Sequence, residues 1–310
     1  LTIGRGDMKR EKFINKIFER ILSDKIKERS ERVILFIAII SYVVHLILIL
    51  LASYDVVQID SKLFKSPISA IYTPFSFILV YEVYLLIFYL PKSISYYIGK
   101  QYEIITLIVI RRIFKDIGNL ELTSKWVESQ DDLQFTYDTI TSLILFLIIY
   151  YFYQNIKKRD TTEDETGYRI DRDKLAKFIG LKKAIAILLV PLLLALAGYT
   201  FFVWVNAAVS NYENGVIAFK NLNNIFFDEF FTVLIIVDVL LLLTSFFHSD
   251  RFHKIIRNSG FIISTILIKM SFSTDGIGNN TLIIGAVVFG FLILLIHNKF
   301  EKKSTSEVSS

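Results

Sequence analysis

The chain has 310 residues, 53% of them hydrophobic and 27 of them phenylalanine, with a mean hydropathy of +0.50. Apolar runs approaching the roughly 20 residues that cross about 30 Å of hydrocarbon recur along its whole length, which excludes an ordinary soluble domain and points to an all-α, polytopic membrane protein. A formal net charge of only +5 does not call for a nucleic-acid partner, and the absence of cysteine excludes a disulfide framework, a thiolate metal site and a cysteine nucleophile.

Residues 1–32 are expected to form a cytoplasmic segment without a cleavable leader. Within it, residues 8–31 place Phe13, Ile14, Ile17, Phe18, Ile21, Leu22 and Ile26 at helical spacing between charges. That pattern predicts one basic amphipathic helix. It suits the cytoplasmic membrane surface, with Lys and Arg toward anionic lipid headgroups, and it suits packing on another subunit equally well.

The spans follow. Residues 33–51 form the first, and residues 71–90, closed by Pro91, the second. Residues 94–117 are ambiguous, because their apolar run carries Lys100, Glu103, Arg111, Arg112, Lys115 and Asp116. Residues 135–153 end in a tyrosine cluster suited to an interface. After a charged linker come 184–205, with a kink expected at Pro191, then 226–247, 261–272 and 281–296.

Charge asymmetry decides the ambiguous segment. Cytoplasmic loops collect Lys and Arg. The N-terminal 32 residues hold ten basic side chains and the linker 155–183 holds nine, so both belong inside. Three undisputed spans lie between them, and only a crossing by 94–117 restores an even number. The expectation is therefore eight transmembrane helices in an integral, plasma (inner) membrane protein with both termini cytoplasmic. A central Arg, Lys or Asp disfavours insertion by about 2.5–3.5 kcal/mol on translocon scales, so the third span cannot stand alone in lipid. On a helical wheel Lys100, Glu103, Arg111 and Lys115 share one face, which must meet protein or a water-filled cavity.

The chain also resembles itself. Laid over one another, residues 100–111 and 258–269 match isoleucines at 104, 105, 108 and 110 with those at 262, 263, 266 and 268, and Arg111 with Lys269. Each half reads as an apolar helix, a helix with an acid, a helix with a base, and an apolar helix. Two tandem four-helix units, 33–154 and 183–298, are expected. A cytoplasmic linker 155–182 would join them, with a tail at 299–310, and four spans per unit make the repeat parallel.

Glu82, Glu103 and His45 fall near the midplane at about 1.5 Å per residue. In one reading they surround a polar cavity for a proton or small cation, with Arg111 and Arg112 at its outer mouth or answering the membrane field. In the other, Glu82 neutralises a base of the third span and locks the bundle. Asp238 and Lys269 read as an interhelical ion pair. Asn279, Asn280 and Thr281 fit the glycosylation pattern, which chance often produces. No soluble-enzyme motif is present, and no metal or cofactor is expected. The expected function is ion movement, as a proton or cation channel or an ion-coupled transporter, with a voltage response through the two arginines. The alternative is a non-conducting membrane subunit whose buried charges are assembly contacts with a second copy or a partner membrane subunit.

Overall fold

The computed structural model describes residues 5–54, 67–117, 130–160, 172–210, 215–246 and 252–308. Among the described residues there is no strand. In chain order the helices are α1 (Arg5–Ile21), α2 (Asp24–Ser53), α3 (Tyr72–Tyr89), α4 (Ile94–Ile117), α5 (Gln130–Asp160), α6 (Arg172–Ser210), α7 (Gly215–Phe246), α8 (Phe252–Ser271) and α9 (Gly276–Val308), with a 3-10 turn, Pro67–Ile71, before α3.

The single helix expected over 8–31 is divided. Ser23 is extended, at φ −84° and ψ 158°, and its hydroxyl accepts the Ile26 amide at 3.4 Å to start α2, with Asp24 in the first turn. Leu22, 1% exposed, pins the break in the core. The amphipathic α1 packs on this chain's own α6: Lys183 Nζ donates to Asn15 Oδ1 at 2.8 Å and lies 5.3 Å from the Phe18 ring.

Among the described residues four helical stretches are long and apolar enough to cross a membrane: one within Lys12–Ser53, then Asp132–Ile156, Lys177–Leu196 and Gly276–Lys303. They belong to α2, α5, α6 and α9. Each shows large apolar side chains to the outside, such as Phe36 and Ile39 on α2, Leu143 and Leu147 on α5, Leu188 and Leu194 on α6, and Leu292 and Ile296 on α9. Outward-facing hydrocarbon of this extent fits a lipid solvent and not water. The chain is therefore an integral membrane protein.

Successive helices pack in order: α2 on α3, α3 on α4 and α4 on α5, then α6 on α7, α7 on α8 and α8 on α9. The seam between these two sets is closed by α5 on α9, α4 on α8 and α9, and α3 on α6. Its centre is aromatic. Tyr102, Phe152 and Phe261 meet with ring centroids 5.2 and 6.1 Å apart, and all three are fully buried. α3 and α4 are the inner helices: none of their described residues is exposed. The charged stretch 155–182 gives its first residues to α5 and its last to α6, and residues 161–171 lie outside the described residues. α9 begins at Gly276, whose φ of +62° favours glycine.

Candidate functional site

α4 places polar side chains at three levels, each facing different neighbours. Its sequence allows this because Ile104, Ile105, Ile108 and Val109 keep the intervening positions apolar and buried. The polar groups can then be desolvated only where another helix supplies a partner.

At the level nearest the α3–α4 turn, Lys100 Nζ meets Glu103 Oε2 at 2.6 Å, one helical turn apart. The ammonium lies over the rings of Tyr89, Tyr96 and Tyr153, at 5.2, 5.8 and 6.0 Å from their centroids. Glu82 of α3 is within electrostatic reach of both Glu103 and Lys100. Two of the acids singled out in the sequence are thus within electrostatic reach of one another and of one lysine. Gly99 makes room for this group, because a Cβ there would come within 2.9 Å of the Tyr153 ring. His45 does not join them. Its Nδ1 lies 2.6 Å from the Thr73 hydroxyl at the start of α3, and Thr73 is about 13 Å along that helix from Glu82.

One step around α4, Gln101 spans the seam. Its Nε2 donates to Asp238 Oδ2 of α7 at 3.1 Å, and its Oε1 accepts the Thr265 hydroxyl of α8 at 2.7 Å. Tyr102 continues the seam, with its hydroxyl 2.8 Å from Ser264 Oγ, which donates to the Ala286 carbonyl of α9 at 2.6 Å. Gln101 and Tyr102 are 0% exposed and Asp238 is 6% exposed. Asp238 lines a cavity of about 30 Å³ with Tyr97, Lys182 and Asn258, closed by Leu90, Phe261 and other apolar side chains. That volume suits a single water molecule. The Tyr97 hydroxyl lies near Asp238 and Gln101 without closing a hydrogen bond to either. Lys182 is buried, within electrostatic reach of Asp238, and donates to the Lys92 carbonyl at 3.1 Å. The expected pair of Asp238 with Lys269 is not formed. Asp238 faces α8 at the level of Asn258 and Ile262, and Lys269 lies about 10 Å farther along that helix.

At the far level, Arg112 gathers four elements. Its guanidinium donates to Asn279 Oδ1 at 2.6 Å, Asn280 Oδ1 at 2.9 Å and Asp138 Oδ1 at 3.1 Å. Asp138 also accepts from Gln134 at 2.8 Å and from Asn280 at 2.7 Å, and Asn279 Nδ2 donates to the Ser271 carbonyl. Arg111, 4% exposed, is buried beside it. The asparagine of the glycosylation pattern is therefore an internal hydrogen-bonding residue, 3% exposed.

No protein-family model, curated protein or solved structure matches this chain. The site must be read from its own chemistry. Among the described residues no three His, Asp or Glu side chains gather to hold a metal ion. What the geometry offers is two carboxylate stations inside the helix bundle on opposite sides of α4, Glu82 with Glu103 and Asp238, each with a lysine within electrostatic reach.

Sequence reasoning missed Gln101, Tyr102, Lys182 and Asp138. Asp138 carried a signal, since an acid inside the run 135–153 needs a partner as much as Glu82 does. Lys182 sat in a basic cluster whose natural reading is a solvated loop, and nothing local marks it for burial. Gln101 and Tyr102 are ordinary helix residues whose role depends on what α7, α8 and α9 bring against them.

Proposed function

We propose that this membrane protein moves protons or small cations, through carboxylates held on the two sides of α4. The observation that carries the reading is Asp238, a buried carboxylate resting on the neutral Gln101 amide, beside a water-sized, mostly apolar cavity and within electrostatic reach of a buried lysine. Charged groups at membrane depth are costly and mark ion or proton pathways by default. A purely structural pair would do better with a direct, bidentate partner.

In this reading α2–α9 all cross, the basic ends of the helices and both termini face the cytoplasm of a plasma (inner) membrane, and the chain is not an enzyme. The helices form two tandem units, α2–α5 and α6–α9. Two features support that. α4 and α8 begin at Ile94 and Phe252, the same place in the register that lays 100–111 over 258–269. α4 packs on α8 and α5 on α9, third against third and fourth against fourth, as a two-fold axis along the membrane normal requires. The contact of α3 with α6 departs from that symmetry. A voltage response is not part of the proposal, because Arg112 is fixed by three side chains.

The test is flux through purified protein in liposomes, following protons and then monovalent cations, for the parent chain and for Asp238→Asn, Glu82→Gln and Glu103→Gln. The reading expects flux that falls about tenfold or more in at least Asp238→Asn, equivalent to about 1.4 kcal/mol of barrier. Equal flux in all four proteins removes the site.

The second reading, a non-conducting membrane subunit, is favoured by the Arg112 cluster, whose hydrogen bonds tie four elements together in the manner of a structural lock. It expects tight liposomes and a defined complex, with a second copy or a partner membrane subunit, that survives Asp238→Asn.

A further inference from the structure

Lys27, Lys92 and Lys100 all converge on one side chain. Their ammonium nitrogens lie 5.7, 4.8 and 5.2 Å from the centroid of the Tyr89 ring. Lys27 Nζ also donates to the Tyr89 hydroxyl at 3.3 Å, and Phe88 lies beneath Lys27 and Lys92 at 5.6 and 5.0 Å. Lys100 is matched by Glu103. Among the described residues no carboxylate lies within ion-pair distance of Lys27 or Lys92. Two unmatched cations are thus held together by a ring stack at the basic end of the bundle. Lys92 is exposed there and Lys27 is half-buried. Like charges fixed side by side are unfavourable unless an anion completes the arrangement.

A second observation lies on the same seam. Between α2 and α3 runs a groove of about 260 Å³ lined by Leu35, Ala38, Ile39, Tyr42, Ile71, Pro74 and Ile78. Its lining carries no charge. On α2, Lys27, Glu31, Leu35, Ala38 and Tyr42 succeed one another at intervals of three and four residues, so they form one stripe facing α3. The groove begins about 12 Å along the helix from Lys27. Between the two, Glu31 accepts the Tyr81 hydroxyl at 3.3 Å and is not within ion-pair distance of either lysine. A cationic station at headgroup level continuing into an apolar channel at acyl depth has the shape and polarity of one kind of molecule.

We propose that the α2–α3 seam is a binding site for a single anionic phospholipid. Its phosphate sits between Lys27 and Lys92 over Tyr89, and one acyl chain lies in the groove from Leu35 to Ile78. The site is independent of ion movement: it needs neither Asp238 nor a flux. It differs from a general attraction of the N-terminal helix to acidic membranes, because it holds one lipid in one place.

The test uses the full chain purified in a neutral detergent. Phosphatidylglycerol, phosphatidylcholine, glycerol 3-phosphate and inorganic phosphate are titrated separately, with retained adducts counted by native mass spectrometry and apparent affinity taken from the thermal shift. The proposal expects one phosphatidylglycerol to be retained and phosphatidylcholine to bind roughly tenfold more weakly or worse, since each lysine near the headgroup contributes about 1 kcal/mol. Lys27→Gln with Lys92→Gln removes that preference. Leu35→Trp and Ile39→Trp, both at outward-facing positions, fill the groove and weaken phosphatidylglycerol while leaving inorganic phosphate unaffected. Equal retention of the two lipids overturns the headgroup assignment. Inorganic phosphate matching phosphatidylglycerol, with no effect of the tryptophans, overturns the lipid in favour of a free anion. Retention unchanged in the lysine double variant overturns the site itself.

Discussion

Gly290 gives the sharpest test of how α4 is seated. A Cβ built there would overlap the Tyr102 hydroxyl, come within 2.9 Å of Tyr102 Cζ and within 3.1 Å of Ser264 Oγ. Glycine to alanine in a helix interior ordinarily stabilises by about 0.8–1.0 kcal/mol through propensity. At position 290 the methyl must displace a fully buried tyrosine, at an overpacking cost of about 1–3 kcal/mol. It also breaks the Tyr102–Ser264 hydrogen bond, worth about 1 kcal/mol more. The sum predicts that Gly290→Ala destabilises by about 1–3 kcal/mol, opposite in sign to the propensity effect. Gly285→Ala, where an added Cβ meets nothing within 4 Å, should be neutral or stabilising. Unfolding of both variants by SDS in mixed micelles measures the difference. Tyr102→Phe removes the offending oxygen, so the double variant with Gly290→Ala should recover about 1 kcal/mol relative to the sum of the singles. Stabilisation by Gly290→Ala, or strict additivity with Tyr102→Phe, would refute the placement of Tyr102 between α8 and α9.

Arg112→Leu leaves Asp138 buried without its cation and should cost about 3–5 kcal/mol, whereas Arg112→Leu with Asp138→Leu should cost less, both read from the same SDS titration. His45→Ala removes the contact with Thr73 and is expected to cost about 1 kcal/mol or more while leaving any flux unchanged; a lost flux would return His45 to the carboxylate site. Expressed in a glycosylating host, the chain should show no glycan at Asn279, checked by the mass after glycosidase treatment, because that amide is buried against the Ser271 carbonyl.

The charges of α4 were the most legible part of the fold. Arg111, Arg112, Lys100 and Glu103 in one apolar run cannot face lipid, and none of α4's described residues is exposed, although Glu103 and Arg112 are only half-buried. Helix positions were legible for a related reason, since the long apolar runs of α2, α5, α6 and α9 have few competing structures. The division of α1 from α2 was not read, although Ser23 followed by Asp24 is an N-cap signal. A continuous apolar stripe hid it. The proximity of Glu82 to Glu103 followed from depth along neighbouring antiparallel helices. The same reasoning failed for His45, because depth says nothing of rotation, and α2 turns His45 toward Thr73. Asp238 and Lys269 were matched as acid and base on adjacent helices. A neutral amide, Gln101, is the donor that actually meets Asp238, and neutral donors leave no charge pattern to follow.

The central claim is that α4 is threaded through the bilayer inside a bundle of eight crossings. The chain has no cysteine, so single cysteines report without background. Glu128→Cys and Lys158→Cys flank α5, one before it and one near its end. In intact cells a membrane-impermeant maleimide should label Glu128→Cys, and Lys158→Cys only after the membrane is opened. Labelling of Lys158→Cys but not Glu128→Cys in intact cells, or of both from the same side, would contradict the account.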